Sequence, residues 1–190
     1  EKTIRKNCRR YQRALQKFYP HGKVIYAGKA FLTLAMANLI KEEGLGLDVV
    51  SGGELYLALK AGFPPRDLYF HGNNKSREEL QEALQAGVGR IVIDSLFELK
   101  ELQDLVHSGH QKIAVLLRIK PGVEAHTHDY IQTGQEDSKF GLGFAEALEA
   151  VREILAVPSL LELKGFHCHI GSQIFQLEPF QIAARTMLRF

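Results

Sequence analysis

The sequence lacks several features, and each absence excludes a class of protein. No uninterrupted apolar run approaches the ~20 residues that a membrane span requires, so no transmembrane helix is expected. There is no excess of charge of one sign. The 24 Lys and Arg against 22 Asp and Glu leave a net charge of +2, too little to argue for a nucleic-acid or membrane partner. The only two cysteines, Cys8 and Cys168, are far apart and form no disulfide framework, which points to a reducing, cytoplasmic compartment. The first residue is Glu1, and the basic stretch that follows has no apolar core of the kind found in a secretory signal.

What remains is the balance of a soluble globular protein, with 45% hydrophobic and 24% charged residues. A length of 190 residues allows one sizeable core and is short for two. Residues 1–22 read as an N-terminal helical segment. Ile4, Tyr11, Leu15 and Phe18 form an apolar stripe, and Lys2, Arg5, Lys6, Arg9, Arg10, Arg13 and Lys17 form a basic face expected to be solvated.

From Lys23 onward short apolar runs alternate with helical patterns. Strands are expected at Lys23–Ala27, Leu47–Val50, Asp67–Phe70, Arg90–Ile93, Lys112–Ile119 and Leu161–Cys168. Helices are expected at Phe31–Glu43, about Gly53–Ala61, Ser76–Ala86, Ser95–His107 and Phe144–Leu155, with a last one near Gln181–Phe190. Ser76-Arg-Glu-Glu79 and Ser95-Leu-Phe-Glu98 match capping boxes, in which Ser and Glu satisfy each other's free amides. Gly62, Gly87 and Gly109 stand where helix C-caps belong.

Regular β/α alternation implies a parallel α/β fold. A doubly wound sheet should show a G-x-G-x-x-G turn after its first strand. Here that strand runs into Gly28-Lys29-Ala30 instead. The even spacing of the units fits a TIM-type (β/α) barrel, which needs eight strands, and six can be found. Residues 23–190 therefore read as a partial barrel, and the chain as part of a longer protein.

Barrel chemistry gathers at the C-terminal ends of the strands. Those ends carry Lys29, Asp48, His71, Asp94, Arg118 and the segment His167–Gln173. Lys29, between Gly28 and Ala30, is expected to be crowded by apolar strand residues, which would favour a neutral amine able to form a Schiff base. Taken alone it reads more readily as a surface lysine. Alternation along a strand puts His167 and His169 on one side. They could bind a metal, stack on a flat cofactor ring, or be hydrogen-bonded core histidines. Gly171-Ser172 offers amides and a hydroxyl suited to a phosphate. Ser51-Gly-Gly-Glu54 reads either as a ligand-binding turn or as a plain helix N-terminus.

Taken in order, the motifs point to a family. Tyr26-Ala-Gly-Lys-Ala30 resembles the Y-A-x-K-A motif of the alanine-racemase-like, fold-type III pyridoxal-phosphate decarboxylases. So do Asp48-Val-Val-Ser-Gly-Gly-Glu54, Phe70-His-Gly-Asn-Asn-Lys75, His126-Thr-His-Asp-Tyr-Ile-Gln-Thr-Gly134, Asp137-Ser-Lys-Phe-Gly141 and Gly165-Phe-His-Cys-His-Ile-Gly-Ser-Gln173. The fit is nearest to the branch acting on diaminopimelate. Gly28 departs from the pattern, since the family often has a larger residue there, and looser packing beside Lys29 is expected.

The resemblance implies pyridoxal 5'-phosphate as cofactor, held by Lys29 through its amine. It also implies that His169 stacks on the cofactor ring, that Gly171 and Ser172 bind its phosphate, and that Asp48 lies near the lysine nitrogen. Arg118 and His71 would line the pocket, and no metal is implied. It further implies decarboxylation of meso-diaminopimelate to L-lysine by a homodimer completed by a C-terminal β-domain, so that these residues alone would be inactive. Three alternatives stay open at this point: a relative acting on ornithine, arginine or carboxynorspermidine; a cofactor-binding homologue without turnover; and a metal-dependent barrel hydrolase using His167 and His169.

Overall fold

The structure, a computed structural model, describes residues 1–109, 112–122 and 140–190. The segments His126–Gly134 and Asp137–Lys139 singled out above lie outside the described residues. The chain forms two compact units, Glu1–Arg90 and Ile91–Phe190.

In the first unit α1 (Lys2–Phe18) precedes β1 (Ile25–Ala27), a 3₁₀ turn (Gly28–Ala30) and α2 (Leu34–Glu42). Then come β2 (Gly46–Val49), α3 (Gly52–Lys60), a second 3₁₀ turn (Pro65–Asp67), β3 (Leu68–Phe70) and α4 (Arg77–Ala86). The strands run parallel, with Ala27 opposite Asp48 and Val49 opposite Phe70. Leu47, Val49, Leu68 and Phe70 are buried, as are Ile40 of α2, Leu55 of α3 and Leu80 of α4. Burying each such side chain contributes about 1.5–3 kcal/mol. Strands that are apolar on both faces are what a helix-covered parallel sheet requires.

The second unit holds β4 (Arg90–Ile93, its first residue belonging to the unit before), α5 (Leu96–Gly109), β5 (Ile113–Arg118), α6 (Phe144–Ala156), β6 (Leu161–His167) and α7 (Glu178–Arg189). Its strands are also parallel, with Ile93 opposite Leu117 and Arg118 opposite His167. The β5–β6 register slips between Val115 and Leu116, where β6 passes an extra residue at Lys164 before Gly165, whose φ is +138°. Such a bulge bends a strand and re-aims the side chains beyond it. Phe190 closes the end of α7 on Phe166 and Phe144, with ring centroids 4.9 and 5.0 Å away.

Among the described residues six parallel β/α repeats thus bear out the expected α/β pattern, with several boundary corrections. α2 starts at Leu34 rather than Phe31, because the Thr33 hydroxyl accepts from the Met36 amide and caps the helix there. α7 (Glu178–Arg189) takes in the expected stretch from Gln181 and is capped by Phe190, whereas Gly109 lies within α5 instead of capping it. β6 ends at His167, so strand alternation does not extend to His169. Gly62 and Gly87 do take the left-handed conformation after their helices. The Ser76 box forms in full, the hydroxyl accepting from the Glu79 amide and the Glu79 carboxylate from the Ser76 amide.

The basic face of α1 is not merely solvated. Arg5 donates to Glu42 (2.6 Å) and Glu43 (3.0 Å), and Arg9 donates to Glu43 at 2.7 and 2.9 Å. Gln12 donates to the Glu43 carbonyl at 2.8 Å. Only Cys8 of α1 is buried, so these polar contacts are a large part of what fixes the helix against α2.

Candidate functional site

In the first unit, β1, β2 and β3 place Lys29, Asp48 and His71 at or just past their C-terminal ends. Lys29 sits in the 3₁₀ turn and is exposed, which corrects the expected crowding. The cause is local: β1 ends at Ala27, and the chain turns out of the sheet before reaching the lysine. Tyr26 pins that turn, its hydroxyl donating to the Phe31 carbonyl at 2.9 Å. Burial pushes the Tyr26 hydroxyl pKa up.

Gly28 corrects a second expectation. It is buried, and a Cβ there would lie 2.8 Å from the Asp48 carbonyl oxygen and 3.1 Å from Glu54 Oε2. The missing side chain therefore lets the lysine turn approach β2 closely instead of loosening it.

Asp48 and His71 lie on the same face of neighbouring strands. Asp48 pairs with Tyr69, and His71 follows two residues later. Asp48 Oδ2 is 3.5 Å from His71 Nδ1, and their side chains are 20% and 10% exposed. The His71 amide donates to the Val49 carbonyl at 2.8 Å.

Ser51-Gly-Gly-Glu54 proves to be a helix N-terminus. Ser51 Oγ accepts from the Glu54 amide (3.2 Å), Glu54 Oε2 from the Val50 amide (2.9 Å), and Glu79 Oε1 from the Gly52 amide (2.6 Å).

In the second unit, Asp94 directly follows β4, and Arg118 and His167 are the last residues of β5 and β6. Asp94 and Arg118 are both buried, and Arg118 Nη1 donates to Asp94 Oδ1 at 2.6 Å. The guanidinium lies over the Phe140 ring, 5.1 Å from its centroid. Sequence reading placed Asp94 and Arg118 on the rim but missed their pairing, together with Tyr26 and Phe140. The β4–β5 register carried the signal, since the residues after Ile93 and Leu117 must face each other.

His167 and His169 are half-buried. Burial pushes the Cys168 thiol pKa up, with Arg118 pulling the other way, and a protonated thiol is a poor metal ligand. Among the described residues no three His, Cys, Asp or Glu side chains group as a metal site would require. After β6 the chain turns through Gly171 (φ +136°) and Gln173 (φ +57°) around the half-buried Ser172. Successive amides in such a turn form a concavity for an anion. Within the second unit, this turn thus offers backbone amides and a hydroxyl of the kind that hold a phosphate.

The chain is 50% identical over 188 residues to diaminopimelate decarboxylase of Bacillus subtilis, covering 98% of this chain and 43% of that one. It is 49% identical over 192 residues to the enzyme of Staphylococcus aureus, covering 100% and 45%. Among solved structures, diaminopimelate decarboxylase of Helicobacter pylori complexed with L-lysine matches with a TM-score of 0.88, 34% identity, and coverage of 97% and 46%. Arginine decarboxylase of Paramecium bursaria Chlorella virus matches at 0.78 with 21% identity and 97% and 47% coverage, a likeness of fold alone. The chain thus spans less than half the length of these relatives. The family model described as pyridoxal-dependent decarboxylase, pyridoxal binding domain, matches residues 1–190, and the chain belongs to that family.

Proposed function

We propose that this chain is the cofactor-binding part of a diaminopimelate decarboxylase, which converts meso-2,6-diaminopimelate to L-lysine and carbon dioxide. One observation carries the reading: about half of all residues are identical to the B. subtilis enzyme along 98% of this chain.

When bound, pyridoxal phosphate supplies an electron sink for the carbanion left by loss of carbon dioxide. The protein's own groups bind and orient. Lys29 is the attachment residue, exposed in the turn just past β1. The Asp48 carboxylate, held beside His71, places negative charge near a protonated nitrogen. His169 presents a flat ring, and Gly171 and Ser172 present amides and a hydroxyl to phosphate. Arg118 supplies a fixed positive charge and His71 a wall of the pocket.

Residues 1–22 act as a helical appendage and 23–190 as a partial barrel. On this reading the whole enzyme is a cytoplasmic homodimer with no nucleic-acid or membrane partner, and residues 1–190 alone do not turn over substrate. The full-length enzyme should release L-lysine from meso-diaminopimelate in preference to decarboxylating ornithine or arginine. Faster turnover of either competitor, or none of any, would overturn the assignment.

A further inference from the structure

Asp94 stands at a junction of three pieces of chain. Its Oδ1 accepts from Arg118 Nη1 at 2.6 Å, and its Oδ2 accepts from the Gly141 amide at 3.0 Å. Its own amide donates to Glu98 Oε2 at 3.3 Å, and the Glu98 amide donates to Ser95 Oγ at 3.2 Å. The aspartate is thus anchored by the start of α5 while it holds both the end of β5 and the chain entering α6.

The Gly141 side of the junction is equally constrained. Gly141 has φ +81°, and a Cβ there would lie 3.1 Å from the Arg118 carbonyl oxygen and 3.2 Å from Arg118 Cγ. The Leu142 amide donates to the Arg118 carbonyl (2.8 Å) and the Lys120 amide to the Leu142 carbonyl (2.9 Å). The Phe140 ring covers the guanidinium.

Asp94 and Arg118 are only 5% and 6% exposed. Burying such a pair is a weak source of stability, because desolvation offsets the attraction; where it is retained, its value lies in fixing one arrangement.

We infer that Asp94 is a positioning residue: one carboxylate that sets the direction of the Arg118 guanidinium and locks Phe140–Leu142 in register beside it. The inference rests on the proposed function in so far as Arg118 serves the cofactor pocket. Asp94 itself acts through Arg118 and the Gly141 amide, without touching substrate.

The test uses the full-length enzyme and three variants: Asp94→Asn, Arg118→Met and the double variant. The double variant removes both charges, so it escapes the unpaired buried charge that destabilises either single one. A misplaced active-site group can cost about 100-fold, so Asp94→Asn should lower kcat by about 100-fold, with KM changed far less. If Asp94 acts through Arg118, adding Asp94→Asn to Arg118→Met lowers kcat no further, and the double variant stays impaired although it melts like wild type. A purely structural pair would instead recover activity along with stability, and that recovery would overturn the inference. So would a multiplicative loss in the double variant.

Hydrogen exchange of cofactor-free enzyme provides a readout independent of turnover. Amides at 140–142 should exchange faster in Asp94→Asn and in the double variant, whereas unchanged protection in both would refute the role. Inactive wild type would count against the proposed function alone, leaving the exchange measurement to decide for Asp94.

Discussion

Asp48 Oδ2 lies 3.5 Å from His71 Nδ1, joining the residue before the last paired position of β2 to the residue just beyond β3. The contact follows from register, because Asp48 sits beside Tyr69 and His71 is the next residue on that face. On the proposed reading Asp48 carries the charge and His71 orients it. Asp48→Ala should therefore lower kcat by about 100-fold, within the range for loss of a preorganised electrostatic group, and His71→Ala by less. Steady-state kinetics of the full-length variants check the order. A His71 effect larger than that of Asp48 would reverse the roles.

The α1–α2 contact predicts acid sensitivity. Hydrogen bonds from Arg9 and then Arg5 pull the Glu43 carboxyl from its usual value of 4.5 down to about 2. A carboxyl depressed on folding stabilises above its unfolded pKa and loses that contribution as pH falls through its folded one. The contribution is thus complete above about pH 5 and fades toward pH 2. Thermal melts across this window should show wild type losing stability more steeply than Glu43→Gln. Identical slopes would mean that the Arg–Glu cluster does not hold the helix. Added salt should weaken the exposed Arg9 arm.

Gly28 is expected to be intolerant of substitution. The atom nearest to an added Cβ is the backbone carbonyl oxygen of Asp48, which cannot swing away. Gly28→Ala should cost about 1–3 kcal/mol, as overpacking does. Denaturant unfolding measures the cost, and a neutral result would show that the turn carrying Lys29 can shift.

The architecture was largely legible because hydrophobic period and capping residues act locally. β4 runs from Arg90 to Ile93, as its apolar run and the capping serine behind it indicate. The start of α2 was less legible, since apolar Phe31 and Leu32 extend the helical pattern past the Thr33 cap. Lys29, Asp48, His71, Arg118 and His169 could be placed by their position at or just past strand ends. Their surroundings could not, because burial and pairing are tertiary. Asp94 meets Arg118 across 24 residues through strand register, and Arg5 meets Glu43 across 38 through helix packing. An i, i+4 pair of arginines on α1 facing a Glu-Glu at the end of α2 was the available signal.

The most direct test of the account is where the cofactor attaches. Full-length enzyme loaded with pyridoxal phosphate, reduced with borohydride and digested, should carry the label on the peptide containing Lys29. Lys29→Ala should lose both the label and the visible absorption of the bound cofactor. A label on any other lysine, or undiminished labelling of Lys29→Ala, would contradict the central claim.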